Sequence, residues 1–326
     1  MSSVSTGTTW PCAAIANAPL GPRTTMRIGG TAAWLLEPAT PDEMRRAWLA
    51  ALERGIAPRV LGGGANLLIE EGDHGVVLTT DRMRRVFRPG AAQTPEEDAA
   101  TRAGGPLAEA REPRLVAWAG AGLPGLCRTA RDSGLKGLAG IVGIPGHLGG
   151  GVAMNAGGRW GELWDVVESV HVLTADGAEL TLPRAECTPS YRNGGLEDRI
   201  VLGAVLALEP GDKQAIADEM RDYLAQKSAA QPVQEHSSGC IFRNPDPELS
   251  DGRGAGKLIE DCGGKGLARG DAIVSPKHGN FIVNRGGARA GDVLGLIDDV
   301  RALVAEKTGI ELQGEVRIWR APASKE

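Results

Sequence analysis

Residues 137–161 read "GLAGIVGIPGHLGGGVAMNAGGRWG", ten glycines in 25 positions. Glycine loses more backbone freedom on folding than any other residue, so no helix or strand core is built at that density. This stretch must turn tightly or bring its backbone close to something else. Two shorter segments repeat the theme. "VLGGGANLL" (60–68) runs a strand into three consecutive glycines, and "RLVAWAGAGLPGL" (114–126) runs a strand into alternating small residues. Successive backbone N–H groups in such turns converge on one concavity, which suits a phosphate. The spacing is neither G-x-G-x-x-G nor a Walker loop, because no Gly-Lys-Ser/Thr follows. A tight structural turn explains any one of the three equally well. Three in one region fit an extended ligand of dinucleotide size.

The chain has 326 residues, long enough for two domains. Its formal charge of −5 argues against nucleic-acid binding as the main activity. No basic start followed by an apolar core and no apolar run of about 18 residues is present, so a cytoplasmic protein is expected. The five cysteines, Cys12, Cys127, Cys187, Cys240 and Cys262, form no C-x-x-C pair and are expected as thiols. No Cys/His spacing suits a metal.

A helix is expected over 41–55, where Pro41-Asp42 starts it and Met44, Trp48 and Leu52 share a face. Short strands surround it. Residues 89–113 hold four prolines, five acids and one large apolar residue, Leu107, and read as a mobile surface insertion. Residues 166–182 read as a hairpin around Asp176-Gly177, and "RIVLGAVLALEP" (199–210) as a further strand. Helices are expected over 213–230, with Ile216, Met220, Tyr223 and Leu224 on one face, and over 288–309. A strand is expected over 310–319. The fold class is α+β, with a boundary at 209–212.

The segments "TTMRIGG", "LGGGANLL", "GIPGHLGGGVAMNAG", "SYR", "SSGCIFRNP", "AGKLIEDCGGKG" and "GEVRIW" occur in that order between residues 24 and 319. Together they resemble the UDP-N-acetylenolpyruvoylglucosamine reductase family, in its shorter branch. The resemblance implies an N-terminal extension (1–19), then an FAD-binding domain of the vanillyl-alcohol-oxidase (PCMH) type (20–211), then a smaller α+β substrate-binding domain (212–326). It implies bound FAD, NADPH as co-substrate, and the enolpyruvyl ether of UDP-N-acetylglucosamine as substrate. No nucleic-acid or membrane partner is implied, and a monomer is expected. FAD contacts fall on Gly62, Gly63, Gly64, Ala65, Asn66, Leu67, Ala119, Gly120, Ala121, Gly122, Ile144, Gly149, Gly150, Asn155 and Arg317.

Three residues match the family's catalytic positions. Reducing the vinyl carbon leaves negative charge on the carbon beside the carboxylate, so the site needs hydrogen-bond donors there and an acid. Arg192 in "SYR" matches the carboxylate-binding arginine, and a guanidinium fork suits a planar enediolate. Glu315 matches the catalytic acid and serves an anionic intermediate only if it carries or shares a proton. Residues alone read it as a strand glutamate paired with Arg317. Cys240 stands at the proton donor, serine in many members. A thiol, with a reference pKa of about 8.5, is a far stronger acid than an alcohol. On composition alone it reads as a buried inert cysteine. Tyr191, Arg243, Asn244 and Lys257 are assigned to substrate, the two cations beside its diphosphate. Met26 stands where Phe is common, and Gly194 where Ser is. The competing readings are a flavin-dependent oxidase of the same fold and a non-catalytic flavin- or nucleotide-sugar-binding paralogue.

Overall fold

The computed structural model describes residues 9–88 and 113–321. Nearly all of the expected insertion at 89–113 therefore lies outside the described residues. The chain forms two compact units. They are not successive halves of the sequence. Pro19–Ala32 and Gly63–His74 belong with the C-terminal unit, and the rest of the chain up to Ile216 forms the other.

The first unit carries two sheets. One orders its strands as Ala13–Pro19, Thr31–Glu37, Val76–Thr79 and Arg59–Leu61, and the last three run parallel. Parallel strands need a crossover, and the helix Pro41–Leu52 carries the chain from Thr31–Glu37 to Arg59–Leu61, on the far side of Val76–Thr79. Thr40 starts this helix: its hydroxyl accepts the Glu43 N–H at 3.1 Å, with Pro41 in the first turn. Met44, Ala47 and Ala51 form its buried face. The helix stops at Leu52 because Gly55, at φ 69°, turns the chain away. The second sheet is antiparallel, ordered Glu179–Pro183, Val167–Leu173, Ile200–Ala207, Arg114–Trp118 and Val86–Phe87. Ile200–Ala207 is buried along almost its whole length, as its unbroken apolar run requires. Gly177, at φ 86°, closes the expected hairpin.

The second unit is built on an antiparallel sheet ordered His236–Cys240, Phe281–Asn284, Ala272–Val274 and Ala268–Arg269. The helix Ala290–Thr308 buries Val293, Leu296, Ile297, Val300 and Val304, spaced for one face. These side chains share a core with Met26, Ile28, Leu68, Phe242 and Leu258. Each fully buried aliphatic contributes about 1.5–3 kcal/mol. The parallel pair Leu67–Ile69 with Arg317–Trp319 joins residues 250 positions apart.

Two expectations need correction. The strand expected over 310–319 is regular only at Arg317–Trp319. Before it, the backbone makes single contacts with the 241–243 segment, through Gln313, Gly314 and Glu315. The helix Lys213–Ala230 buries Ile216 and Met220, but Leu224 stays 39% exposed. Among the described residues no helix is long and apolar enough to cross a membrane, and no group of His, Cys, Asp and Glu is arranged to hold a metal.

Candidate active site

In the first unit the glycine loops divide by what a side chain would meet. A Cβ on Gly120 would lie 1.8 Å from the Thr80 carbonyl oxygen, and one on Gly149 would lie 3.0 Å from the Ala119 Cβ. Those glycines let backbone segments pack. Backbone bonds finish the job: Gly149 N–H donates to Ala119 C=O and Leu148 N–H to Ala121 C=O, both at 2.8 Å, and Gly120 N–H donates to Met83 C=O at 2.9 Å. Gly122 and Gly150 are different. Neither has a heavy atom within 4 Å of the added Cβ, and neither has a positive φ. Gly62 meets only the Gly150 amide, at 4.0 Å. Sterics within the chain therefore do not demand glycine at these three positions. Backbone left bare on three adjacent loops is what a closely approaching ligand requires, and the residues present fit the flavin nucleotide. His147, in the same loop, accepts from or donates to the Thr80 hydroxyl through Nδ1 at 3.0 Å. Burial holds its pKa below the usual value, against the pull of Asp81. Sequence reasoning passed over this histidine because no metal or catalytic spacing marked it.

The "SYR" segment is a tight turn. Ser190 and Asn193 exchange both backbone hydrogen bonds, at 2.8 and 3.0 Å. Arg192 sits at the third turn position with φ 56°, where glycine or asparagine is the usual choice. Such a conformation costs an ordinary residue about 1 kcal/mol or more. Its guanidinium carbon lies 4.7 Å from the exposed Tyr191 ring centre. Asn155 clamps the turn. Its amide nitrogen donates to Ser190 C=O at 3.2 Å and to the Glu162 carboxylate at 2.6 Å, while its oxygen accepts from Trp164 N–H at 3.3 Å. Asn155 was expected to touch the cofactor. Its side chain is committed within the protein and fixes the Arg192 turn.

In the second unit the segments that carry Cys240 and Glu315 lie side by side. Cys240 ends the strand His236–Cys240, which carries a bulge. Ser237 pairs with Val283 and Cys240 with Phe281, so three steps on one strand match two on the other. Gly239, at φ 78°, absorbs the extra residue. The bulge sets Cys240 opposite Phe281, a register that an unbroken ladder would not give. The next residue, Ile241, accepts the Glu315 N–H at 2.7 Å. Glu315 C=O in turn accepts the Asn66 side-chain amide at 3.2 Å, and Arg317 N–H donates to Asn66 C=O at 3.1 Å. Asn66 thus ties the first glycine loop to the glutamate. Gly64, at φ 58°, packs against Arg23 and Thr24, so it is a structural glycine.

The remaining expected residues are placed as follows. Arg243 is half-buried, and its Nε is buried without a hydrogen-bond partner among the described residues, as an anion site requires. Asn244 accepts the Ala255 N–H at 3.1 Å and so holds the start of the helix Ala255–Asp261. Lys257 is exposed and paired with Asp261 at 2.8 Å. Arg317 is exposed on its strand. Of the other cysteines, Cys127 and Cys262 are buried. Burial pushes the Cys187 thiol up and the Cys12 thiol up to about 11, which keeps both protonated.

Comparison with known proteins bears on this arrangement. Residues 32–183 match a family model for an FAD binding domain. Residues 231–319 match the model for the C-terminal domain of UDP-N-acetylenolpyruvoylglucosamine reductase. The chain is 38% identical over 309 residues to the protein of that name from Desulfosudis oleivorans, covering 92% of each. It is 42% identical over 304 residues to one from Anaeromyxobacter dehalogenans, covering 93% of this chain and 84% of the other. The crystal structure of the Thermus caldophilus reductase superposes with a TM-score of 0.74 at 34% identity, covering 94% of this chain and 98% of that one. With two matched domains in order and relatives alike over nine-tenths of its length, the chain belongs to the UDP-N-acetylenolpyruvoylglucosamine reductase family and is an FAD-binding oxidoreductase.

Proposed function

We propose that this chain uses NADPH to reduce the enolpyruvyl ether of UDP-N-acetylglucosamine to UDP-N-acetylmuramate, a cytoplasmic step of peptidoglycan precursor synthesis, and that it acts as a monomer. The FAD-binding domain is assigned to residues 20–211 and the substrate-binding domain to 212–326, with Tyr191 and Arg192 of the first serving the substrate as well. Bound FAD supplies hydride transfer from NADPH to the vinyl carbon. The chain's own residues handle the charge and the proton that follow. Arg192 binds the substrate carboxylate and stabilises the enediolate, a role consistent with an arginine kept in a costly left-handed turn position. Cys240 gives its proton to the carbon beside the carboxylate and regains one from solvent. Glu315 shares a proton with the enediolate as charge develops. Arg243, Asn244, Lys257 and Tyr191 hold the nucleotide-sugar, with Arg243 favoured for the diphosphate by its buried Nε, which has no hydrogen-bond partner among the described residues.

The observation that carries this reading is the 2.7 Å hydrogen bond from Glu315 N–H to Ile241 C=O, the residue after Cys240. It fixes the two proposed acids relative to each other through one peptide. The purified protein should be yellow and oxidise NADPH only with the enolpyruvyl UDP-sugar present. Cys240→Ala should still be reduced by NADPH but lose turnover by at least 10²-fold, the lower end of what a general acid contributes. Cys240→Ser should stay active. Full turnover in Cys240→Ala would remove the thiol from the mechanism.

A further inference from the structure

Asn280 lies just before the strand Phe281–Asn284, where the backbone ladder with the Cys240 strand runs out. Its neighbour Gly279 packs against the Gly256 carbonyl, with an added Cβ only 2.6 Å away, so the chain leaves the sheet there. The strand after Cys240 nevertheless remains paired. Ile241 N–H donates to the Asn280 backbone carbonyl at 2.9 Å. Beyond that point the Asn280 side chain takes the place of the missing strand. Its amide oxygen accepts the Phe242 N–H at 2.9 Å, and its amide nitrogen donates to the Phe242 C=O at 2.8 Å. Asn280 is 3% exposed and Phe242 is 2% exposed, so water does not substitute for these bonds. Three hydrogen bonds from one residue therefore hold Ile241 and Phe242. These two follow Cys240 directly, and Ile241 carries the bond to Glu315.

We propose that Asn280 is a positioning residue for proton delivery: its side chain acts as a surrogate peptide that locks the 241–242 segment and so sets Cys240 against Glu315. The proposal rests on the reading of Cys240 as the proton donor. It requires both faces of the amide, one donor and one acceptor, at the same site. Aspartate matches the shape and the acceptor but, when ionised, lacks the donor. Alanine removes both.

The test uses the full-length, FAD-loaded enzyme with Asn280→Ala, Asn280→Asp, Cys240→Ala and Asn280→Ala/Cys240→Ala. The two half-reactions are followed separately by flavin absorbance: reduction by NADPH, then reoxidation by the enolpyruvyl UDP-sugar. Asn280→Ala should keep reduction within twofold of wild type and slow reoxidation at least tenfold, with KM for the sugar changed less than threefold. Added to Cys240→Ala, it should cause no further loss, because residues that act through one group are non-additive. If Asn280→Ala fails to load FAD, Asn280→Asp is the deciding variant, with the same split expected. Wild-type reoxidation in the folded Asn280 variant beside a dead Cys240→Ala would overturn the proposal alone. So would multiplicative losses in the double variant. An active Cys240→Ala would overturn the reading beneath it as well.

Discussion

Gly150 offers a test in which stability and ligand affinity should move in opposite directions. It sits inside the short helix Leu148–Ala153, is exposed, and has nothing within 4 Å of an added Cβ. Alanine in a helix interior is favoured over glycine by about 0.5–1 kcal/mol. No clash opposes that gain, so Gly150→Ala should stabilise the flavin-free protein by roughly 0.5 kcal/mol, the lower end because the helix is one and a half turns long. If the bare backbone exists to admit the flavin, the same methyl intrudes on the ligand. Overpacking by one methyl costs about 1–3 kcal/mol, or roughly 5- to 150-fold in affinity. Thermal unfolding of the flavin-free protein reads the first effect, and FAD titration by fluorescence quenching reads the second. Gly120→Ala is the internal comparison. Its Cβ would collide with the Thr80 carbonyl at 1.8 Å, and the variant should not accumulate folded. An unchanged FAD affinity in Gly150→Ala would refute the argument that open glycines mark the flavin, and so would a flavin-free protein destabilised by more than about 1 kcal/mol.

Two other perturbations have worked-out signs. Arg192→Gly relieves about 1–2 kcal/mol of left-handed strain against about 0.4–1 kcal/mol of added unfolded-chain freedom, so it should raise stability by roughly 0.5 kcal/mol in denaturant titration while lowering kcat at least 10²-fold; a variant destabilised by more than about 1 kcal/mol would show that the turn is held by the arginine itself. Burial depresses His171, with Glu179 opposing, and it depresses His147 and His278 as well. A histidine whose folded pKa lies below its unfolded value of about 6.5 leaves the unfolded chain holding more protons below that pH. Stability should therefore be fully present above about pH 6.5 and fall as pH drops through the depressed folded values. His171→Gln should flatten that slope between pH 6.5 and 5, and an unchanged slope would exclude it as a contributor.

The sequence made the glycine loops, the hairpin at Asp176-Gly177 and most helix limits readable, because each rests on local chemistry. It did not separate Gly149 from Gly150. One packs on Ala119 and its neighbour faces open space, and that depends on where the rest of the chain passes. Asn155 and Asn280 were illegible for the same reason. An asparagine that clamps a turn 35 residues away, or stands in for a missing strand, looks in sequence like any other asparagine. The strand expected over 310–319 fails through long-range partners too. Segment 241–243 takes single bonds from residues 313–315 and leaves only Arg317–Trp319 a continuous neighbour.

The pairing of Leu67–Ile69 with Arg317–Trp319 imposes an order on how the protein is made. Gly63–His74 is translated well before its parallel partner, which follows some 250 positions later. Closing a loop of that length is entropically late and kinetically slow. The bond from Asn66 to Glu315 waits on the same event. The glutamate assigned to catalysis is therefore fixed only after both distant segments have been made. Disrupting Arg317–Trp319 would strip the upstream segment of its strand partner, so damage there would be felt at a glycine loop some 250 positions away.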